Sequence, residues 1–285
     1  MSLRQRLFVL MQYTLPQHLL SRLTGRIALI SAPWFKTRLI RWFIRRYHVD
    51  MREARDENIQ DYAHFNAFFI RRLKAECRPV AAGNDVIVSP ADGLLSQAGD
   101  IHEARLFQAK GHEYTLKALL GGNEKHAAAF HNGSFATVYL SPGDYHRVHM
   151  PATGVLREMV YVPGKLFSVN QTTVSHIPGV FARNERVICF FDTDAGPMAI
   201  VLVGAMIVAS VETVWAGVVN PPGRKMTSLR YASPLRLEKG DELGHFHLGS
   251  TVIVLFGEQR VRWNNAVLEG KTIRYGEALG RATAP

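Results

Sequence analysis

The sequence predicts an α+β fold in which N-terminal amphipathic helices precede a β-rich sandwich or barrel. Three observations predict it: helical apolar spacing up to about Lys74, short alternating or apolar runs after Arg78-Pro79, and turn dipeptides between those runs. Strands so numerous and short favour a sandwich or barrel over a parallel α/β sheet. The chain accordingly divides into a helical region over residues 1–78 and a β-rich domain over residues 79–285.

In the helical region the apolar residues fall in three groups. They are Leu7, Phe8, Leu10 and Met11; Leu19, Leu20, Leu23, Ile27 and Ile30; and Trp34, Phe35, Leu39, Ile40, Phe43 and Ile44. Several recur at three- or four-residue spacing, which places them on one face of a helix. Pro16 and Pro33 sit near helix starts, and Asn58 to Leu73 reads as a further helix with Tyr62, Phe65 and Phe69 on one side. The strand runs are Val86 to Val88, Ala136 to Leu140, Val155 to Val162, Val187 to Phe191, Ala199 to Val203, Ile207 to Val211 and Val252 to Phe256. Asp92-Gly93, Asn132-Gly133, Pro142-Gly143, Pro163-Gly164 and Pro222-Gly223 mark the turns between them.

With 285 residues and 47% hydrophobic composition, the chain can bury a core without staples. Cys77 and Cys189 lie far apart, with no CxxC or Cys/His ligand spacing. Neither a disulfide framework nor a metal is therefore expected, and reducing surroundings fit best. The net charge of +10 implies an anionic partner. That charge is concentrated at the N-terminus, where Arg4, Arg6, Arg22, Arg26, Lys36, Arg38, Arg41, Arg45 and Arg46 all precede the first carboxylate, Asp50. Basic residues mixed with Trp and Phe suit helices lying in an anionic headgroup layer. The competing reading is that the apolar stripes pack on the protein's own core.

Charges interrupt every apolar run before the roughly 20 residues that a transmembrane helix needs. Arg22 and Arg26 also fall where a signal peptide would carry its apolar core. No zinc-finger, basic-zipper or RNA-recognition signature supports a nucleic-acid partner.

Motifs of the common nucleotide enzymes, zinc proteases and α/β-hydrolases are absent. Three polar clusters remain: Asp92 in the Ser89-Pro90-Ala91-Asp92-Gly93 turn, the stretch Tyr145-His146-Arg147-Val148-His149, and Gly249-Ser250-Thr251. A serine hydroxyl becomes a nucleophile when a base takes its proton, and an imidazole does so best when a carboxylate fixes its tautomer. Asp92, His149 and Ser250 supply those three groups. Taken singly, each is equally at home as a turn residue, a half-buried strand histidine or a tight turn.

The stretch from Tyr139 to Pro151, YLSPGDYHRVHMP, resembles the long signature of the phosphatidylserine decarboxylases. Gly164-Lys165-Leu166-Phe167-Ser168-Val169-Asn170, Phe181-Ala182-Arg183-Asn184-Glu185-Arg186-Val187 and the self-processing site Leu248-Gly249-Ser250-Thr251 resemble further motifs of that family, in its order. Nearly the whole chain is covered, although Gly121 to His126 and the tail after Gly270 match nothing usable.

The resemblance implies a carboxy-lyase that converts phosphatidylserine to phosphatidylethanolamine and carbon dioxide. It implies self-cleavage between Gly249 and Ser250 into a beta chain of residues 1–249 and an alpha chain of residues 250–285. In that scheme Ser250 attacks Gly249 with His149 as base and Asp92 orienting it. Elimination and hydrolysis then leave a covalent pyruvoyl group at position 250, which forms a Schiff base with the substrate amine. His146 is assigned to proton transfer during decarboxylation. If both histidines lay on one strand, their odd spacing would point them to opposite faces, so a loop or bulge is expected there.

The implied partners are phosphatidylserine, an anionic membrane surface met by the basic helices, and the two cleaved chains, with a homodimer left open. The implied location is the cytoplasmic side of the cell membrane, as a peripheral protein. Two other readings compete: an uncleaved serine hydrolase using the same Asp92, His149 and Ser250, and a non-enzymatic basic membrane-binding module.

Overall fold

The computed structural model describes residues 2–109, 111–206, 210–219, 224–247, 250–264 and 270–283. Leu248 and Gly249 of the expected processing site lie outside the described residues, as do Ile207 and the Pro222-Gly223 turn. Helices come first and strands follow from Val86 onward, as the sequence predicts.

Helix α1 (Leu3–Thr14) opens with a capping box between Ser2 and Gln5. Helix α2 (Gln17–Ala28) follows, and α3 (Pro33–Tyr47) starts with Pro33 in its first turn and ends at His48 in the left-handed conformation. The expected helix from Asn58 to Leu73 is instead a single short helix, α4 (Phe65–Phe69), capped by the His64 side chain. Contacts between its two flanks cut it short. Ala54 bridges Leu73, Arg55 N–H donates to the Arg72 carbonyl at 2.8 Å, and Lys74 N–H donates to the Glu53 carbonyl at 2.9 Å. Tyr62, Phe65 and Phe69 still converge, packing with Ile40 and Phe43 of α3 in a core of their own.

The first two helices turn several polar residues to the protein, beside the apolar Val9 and Ala28. Gln12 and Gln17 are buried, and their Oε1 atoms accept from the main-chain N–H groups of Ser168 (2.9 Å) and Leu166 (2.7 Å). Leu3, Leu7, Leu10, Met11, Leu19, Leu23 and Ile27 are exposed instead. Trp34 (68% exposed) and Trp42 (56%) extend the apolar surface along α3.

An eight-stranded sheet forms the body of the β region. Its spatial order is Thr227–Leu237, Gly154–Val162, Arg186–Thr193, Gly196–Val203, Ser250–Phe256, Ser134–Leu140, Gly93–Asp100 and Thr272–Ile273. Every described pairing in it is antiparallel. Among the described residues the two end strands do not pair with each other, so this sheet is open, as in a sandwich. Its central strands Gly196–Val203 and Ser250–Phe256 are almost wholly buried, which explains their unbroken apolar runs.

A four-stranded sheet in the order Gly217–Val219, Val211–Thr213, Glu242–Phe246 and Arg147–His149 shares its core, through Val148, Val211, Leu243 and Phe246. The chain passes between the two sheets along adjacent paths. Leu140 pairs with Ser250 in the large sheet, and Phe246 N–H donates to the His146 carbonyl at 3.2 Å beside the small one. Cys189 is buried and Cys77 half-buried, and both thiols are free.

Candidate active site

The Ser89-to-Gly93 turn joins strand Val86–Val88 to strand Gly93–Asp100. Ser89 Oγ donates to the Ala91 carbonyl (2.8 Å) and shapes the turn. Gly93 lies so close to the neighbouring strand that a Cβ there would fall 2.2 Å from the Tyr139 carbonyl oxygen. A side chain at that position would push the turn off the sheet. Asp92, at the tip, is buried.

Three groups hold the Asp92 carboxylate. Arg78 Nε donates to its two oxygens at 3.1 and 3.0 Å, Arg78 Nη2 donates to Oδ2 at 2.6 Å, and Tyr275 N–H donates to Oδ1 at 2.8 Å. Arg78 Nη2 also reaches Glu53 (2.8 Å), so the cation is buried between two carboxylates, which push its pKa up.

His149 closes the short strand Arg147–His149, and its N–H donates to the Pro90 carbonyl at 2.8 Å, which fastens it to the Asp92 turn. Its ring stacks on Tyr275 with centroids 3.8 Å apart. Nδ1–H donates to the Gly240 carbonyl (2.8 Å), leaving Nε2 to accept from Tyr145 Oη (3.1 Å). The tautomer that a serine-activating base needs is thus fixed, with Nε2 as the basic nitrogen. Asp92 makes no hydrogen bond to His149. The expected orienting contact is made by the Gly240 carbonyl, because the Asp92 oxygens are taken by Arg78 and Tyr275. Asp92 is linked to the imidazole through Tyr275, whose N–H it holds and whose ring stacks on His149, and through the shared turn. Burial lowers the His149 pKa below its usual 6.5.

Ser250 begins the central strand Ser250–Phe256 and is completely buried. Its Oγ has no hydrogen-bond partner among the described residues. His146 lies just before its strand, in the loop that its spacing from His149 demands. Its Nδ1–H donates to the Asp144 carbonyl (2.8 Å), its ring rests 4.1 Å from that of Phe69, and its buried Nε2 is unpartnered among the described residues. Burial drives its pKa down to about 3, and the nearby Arg71 charge acts in the same direction. The imidazole is therefore neutral at physiological pH.

Arg71 is itself buried. It donates through Nη2 to the Gly143 carbonyl (3.2 Å), while Nε and Nη1 lack partners among the described residues. Beside this cluster an apolar cavity of about 370 Å³ opens between α2, α3 and Pro142, lined by Ile27, Trp42, Phe43, Phe69 and Met206 among others.

The fold therefore places Asp92 and His149 in one tight cluster, and brings the segments carrying His146 and Ser250 side by side. No hydrogen bond joins Ser250 Oγ to either imidazole. Arg78, Tyr145, Gly240 and Tyr275 join the site only in the folded molecule. Tyr145 lies inside the conspicuous His-rich stretch, whereas Tyr275 sits in a tail without any sequence signal.

A family model described as phosphatidylserine decarboxylase matches residues 65–281, and a second, described as PSD, matches residues 7–48. The chain belongs to the phosphatidylserine decarboxylase family. It is a decarboxylase, a carboxy-lyase. Proteins named phosphatidylserine decarboxylase proenzyme are similar over almost the full length. One from Pseudomonas aeruginosa (strain UCBPP-PA14) is 61% identical over 283 residues, covering 98% of both chains. One from Ectopseudomonas mendocina is 60% identical over 284 residues (98% of this chain, 99% of that one), and one from Pseudomonas fluorescens (strain Pf0-1) is 56% identical over 286 residues (99% and 100%). Membership in this family agrees with the order of motifs from Tyr139 to Thr251.

Removing one partner of a buried ion pair leaves an uncompensated charge, at about 3–5 kcal/mol. Arg78→Met should therefore lower unfolding stability by roughly that amount, and Arg78→Met combined with Asp92→Leu should be less destabilised than the sum of the two single changes. Denaturant titration of the four proteins reads this. Strict additivity would show that the pair does not organise the turn.

Proposed function

We propose that this chain is a self-processing phosphatidylserine decarboxylase acting at the cytoplasmic surface of the cell membrane. In this reading residues 79–285 form the chemical domain and residues 1–78 the membrane-associating region. The observation that carries it is Ser250, a fully buried hydroxyl without a partner among the described residues, at the head of the central strand and beside the segment that bears both histidines.

A buried orphan hydroxyl is costly in a structural role, and it suits a group due for conversion. His149 Nε2, with its tautomer fixed by Gly240, takes the Ser250 Oγ proton as that oxygen attacks the Gly249 carbonyl carbon. The Gly249–Ser250 amide breaks, its nitrogen gains the proton, and an ester links Gly249 to the Ser250 oxygen. Loss of the Ser250 Cα proton then expels the Gly249 carboxylate. Addition of water to the resulting dehydroalanine releases ammonia and leaves pyruvoyl at residue 250. That group supplies the electron sink for cleaving a carboxylate from an amino-acid headgroup.

The chain's own residues do the rest. Arg71, buried and with two nitrogens unpartnered among the described residues, offers a cation to an anionic headgroup. Burial keeps His146 neutral, so its bare Nε2 is available to take a proton shed by the substrate ammonium and, holding it weakly, to give it up to carbon. The apolar cavity between α2 and α3 provides a dry place for acyl chain beside Phe69, the ring on which His146 rests. Exposed leucines on α1 and α2, with Arg4, Arg6, Arg22, Arg26, Arg38, Arg41, Arg45 and Arg46 exposed around them, suit insertion into an anionic headgroup layer. No helix among the described residues is long and apolar enough to cross a membrane.

Vesicles of carboxyl-labelled phosphatidylserine should release labelled carbon dioxide with the wild-type chain. They should release none with Ser250→Ala, which stays uncut; normal turnover by that variant would refute the assignment. Cleavage depends on neutral His149, whose pKa lies below 6.5. Its rate, followed by gel after cell-free synthesis, should hold as pH falls past 6.5 and decline only at lower pH. A midpoint at or above 6.5 would exclude this histidine in this environment as the base. Co-sedimentation with anionic vesicles should weaken as salt rises, because surface charges are screened beyond about 10 Å at 0.1 M. Replacing the exposed Arg41, Arg45 and Arg46 with Gln should reproduce that weakening at low salt.

A further inference from the structure

Strand geometry brings together three groups that the decarboxylation site does not use. His245 lies in strand Glu242–Phe246 and His247 directly follows its last residue, a two-residue spacing that in extended chain turns both side chains to one face. Directly opposite His245 on the neighbouring strand stands Glu212. Its Oε2 lies 3.4 Å from His245 Nε2 and 3.2 Å from His247 Nε2, and the three atoms all fall within 4.8 Å of one another. Zinc bonds of about 2.0–2.2 Å at tetrahedral angles separate neighbouring ligand atoms by about 3.3–3.6 Å; one of the two separations falls in that range and the other is about 0.1 Å short of it, so little adjustment is needed to seat a metal.

The surroundings match as well. His245 is 8% exposed, and its Nε2 has no hydrogen-bond partner among the described residues. Its Nδ1 is engaged from behind by Glu242 Oε1 at 3.4 Å, the carboxylate–histidine arrangement that orients metal ligands. His247 Nδ1 faces Asn66 Nδ2 at 2.8 Å, and the Asn66 Oδ1 is buried without a partner among the described residues. Turning that amide over gives Oδ1 to a protonated Nδ1 and frees His247 Nε2 to ligate, which satisfies both groups at once.

We propose that Glu212, His245 and His247 form a binding site for a divalent transition metal of the zinc class, with a fourth position open to water. The site was not legible as a ligand spacing because Glu212 comes from another strand, more than thirty residues away in sequence. A metal bound there ties the strand that runs toward Ser250 to its neighbour Val211–Thr213. The proposal does not depend on self-cleavage, since binding is read on the purified chain whether cut or uncut.

Purified full-length protein free of any histidine tag is titrated with Co²⁺ and followed by visible absorption. The expected result is saturable tetrahedral d–d bands at one equivalent, abolished by added Zn²⁺. Glu242→Gln, which leaves the ligands in place, should weaken binding 10–100-fold, and the His245→Gln, His247→Gln double variant should lose it. The wild-type titration stands even if a variant misfolds: no saturable bands, or equal bands in a folded double variant, overturns the proposal.

Discussion

Arg78 and Asp92 form a buried ion pair at the junction between the helical region and the β domain, and the geometry around His149 depends on it. A carboxylate so buried needs compensation, and the chain provides it with a guanidinium from the boundary segment and one main-chain N–H from Tyr275. Arg78 also grips Glu53, linking the helices to the turn. Tyr275, fixed through its backbone by Asp92, lays its ring on His149. His149 in turn hangs from the same turn through Pro90. One electrostatic requirement thereby sets the position of the imidazole without a hydrogen bond between it and the acid.

A second constraint is the reversed polarity of α1 and α2. Helices on a globular surface usually turn their apolar face inward. Here Gln12 and Gln17 face inward because the loop at 166–168 has main-chain N–H groups that need acceptors. The leucines are left outside beside arginines, and Ile27 of α2 lines an apolar cavity that reaches Phe69 and Pro142. An exposed apolar surface and a site buried among charged groups then follow from the same folding choice.

Sequence reading located the strands well, because the apolar runs at Gly196–Val203 and Ser250–Phe256 reflect burial in the middle of a sheet. It also singled out His146, His149 and Ser250 as candidates, since they lie in compact motifs. It overextended the helix around Phe65, because periodicity reports which residues are buried but not the long-range contacts at Ala54 and Leu73 that end it. The direction of the N-terminal stripes was equally hidden, being decided by backbone groups at Leu166 and Ser168 far along the chain. The partners of Asp92 and His149 escaped for the same reason: Arg78, Gly240 and Tyr275 meet only in the folded molecule. The Glu212, His245 and His247 cluster is a further case, assembled across a strand pair.

In this account Ser250 acts as a nucleophile once, on its own backbone, and afterwards as the seat of an electrophile. The most direct test is the denaturing mass of the purified wild-type protein. The account predicts two pieces, one ending at Gly249 and the other beginning at residue 250 with a mass lower than a serine terminus by one ammonia. Active protein consisting only of the intact chain would contradict it.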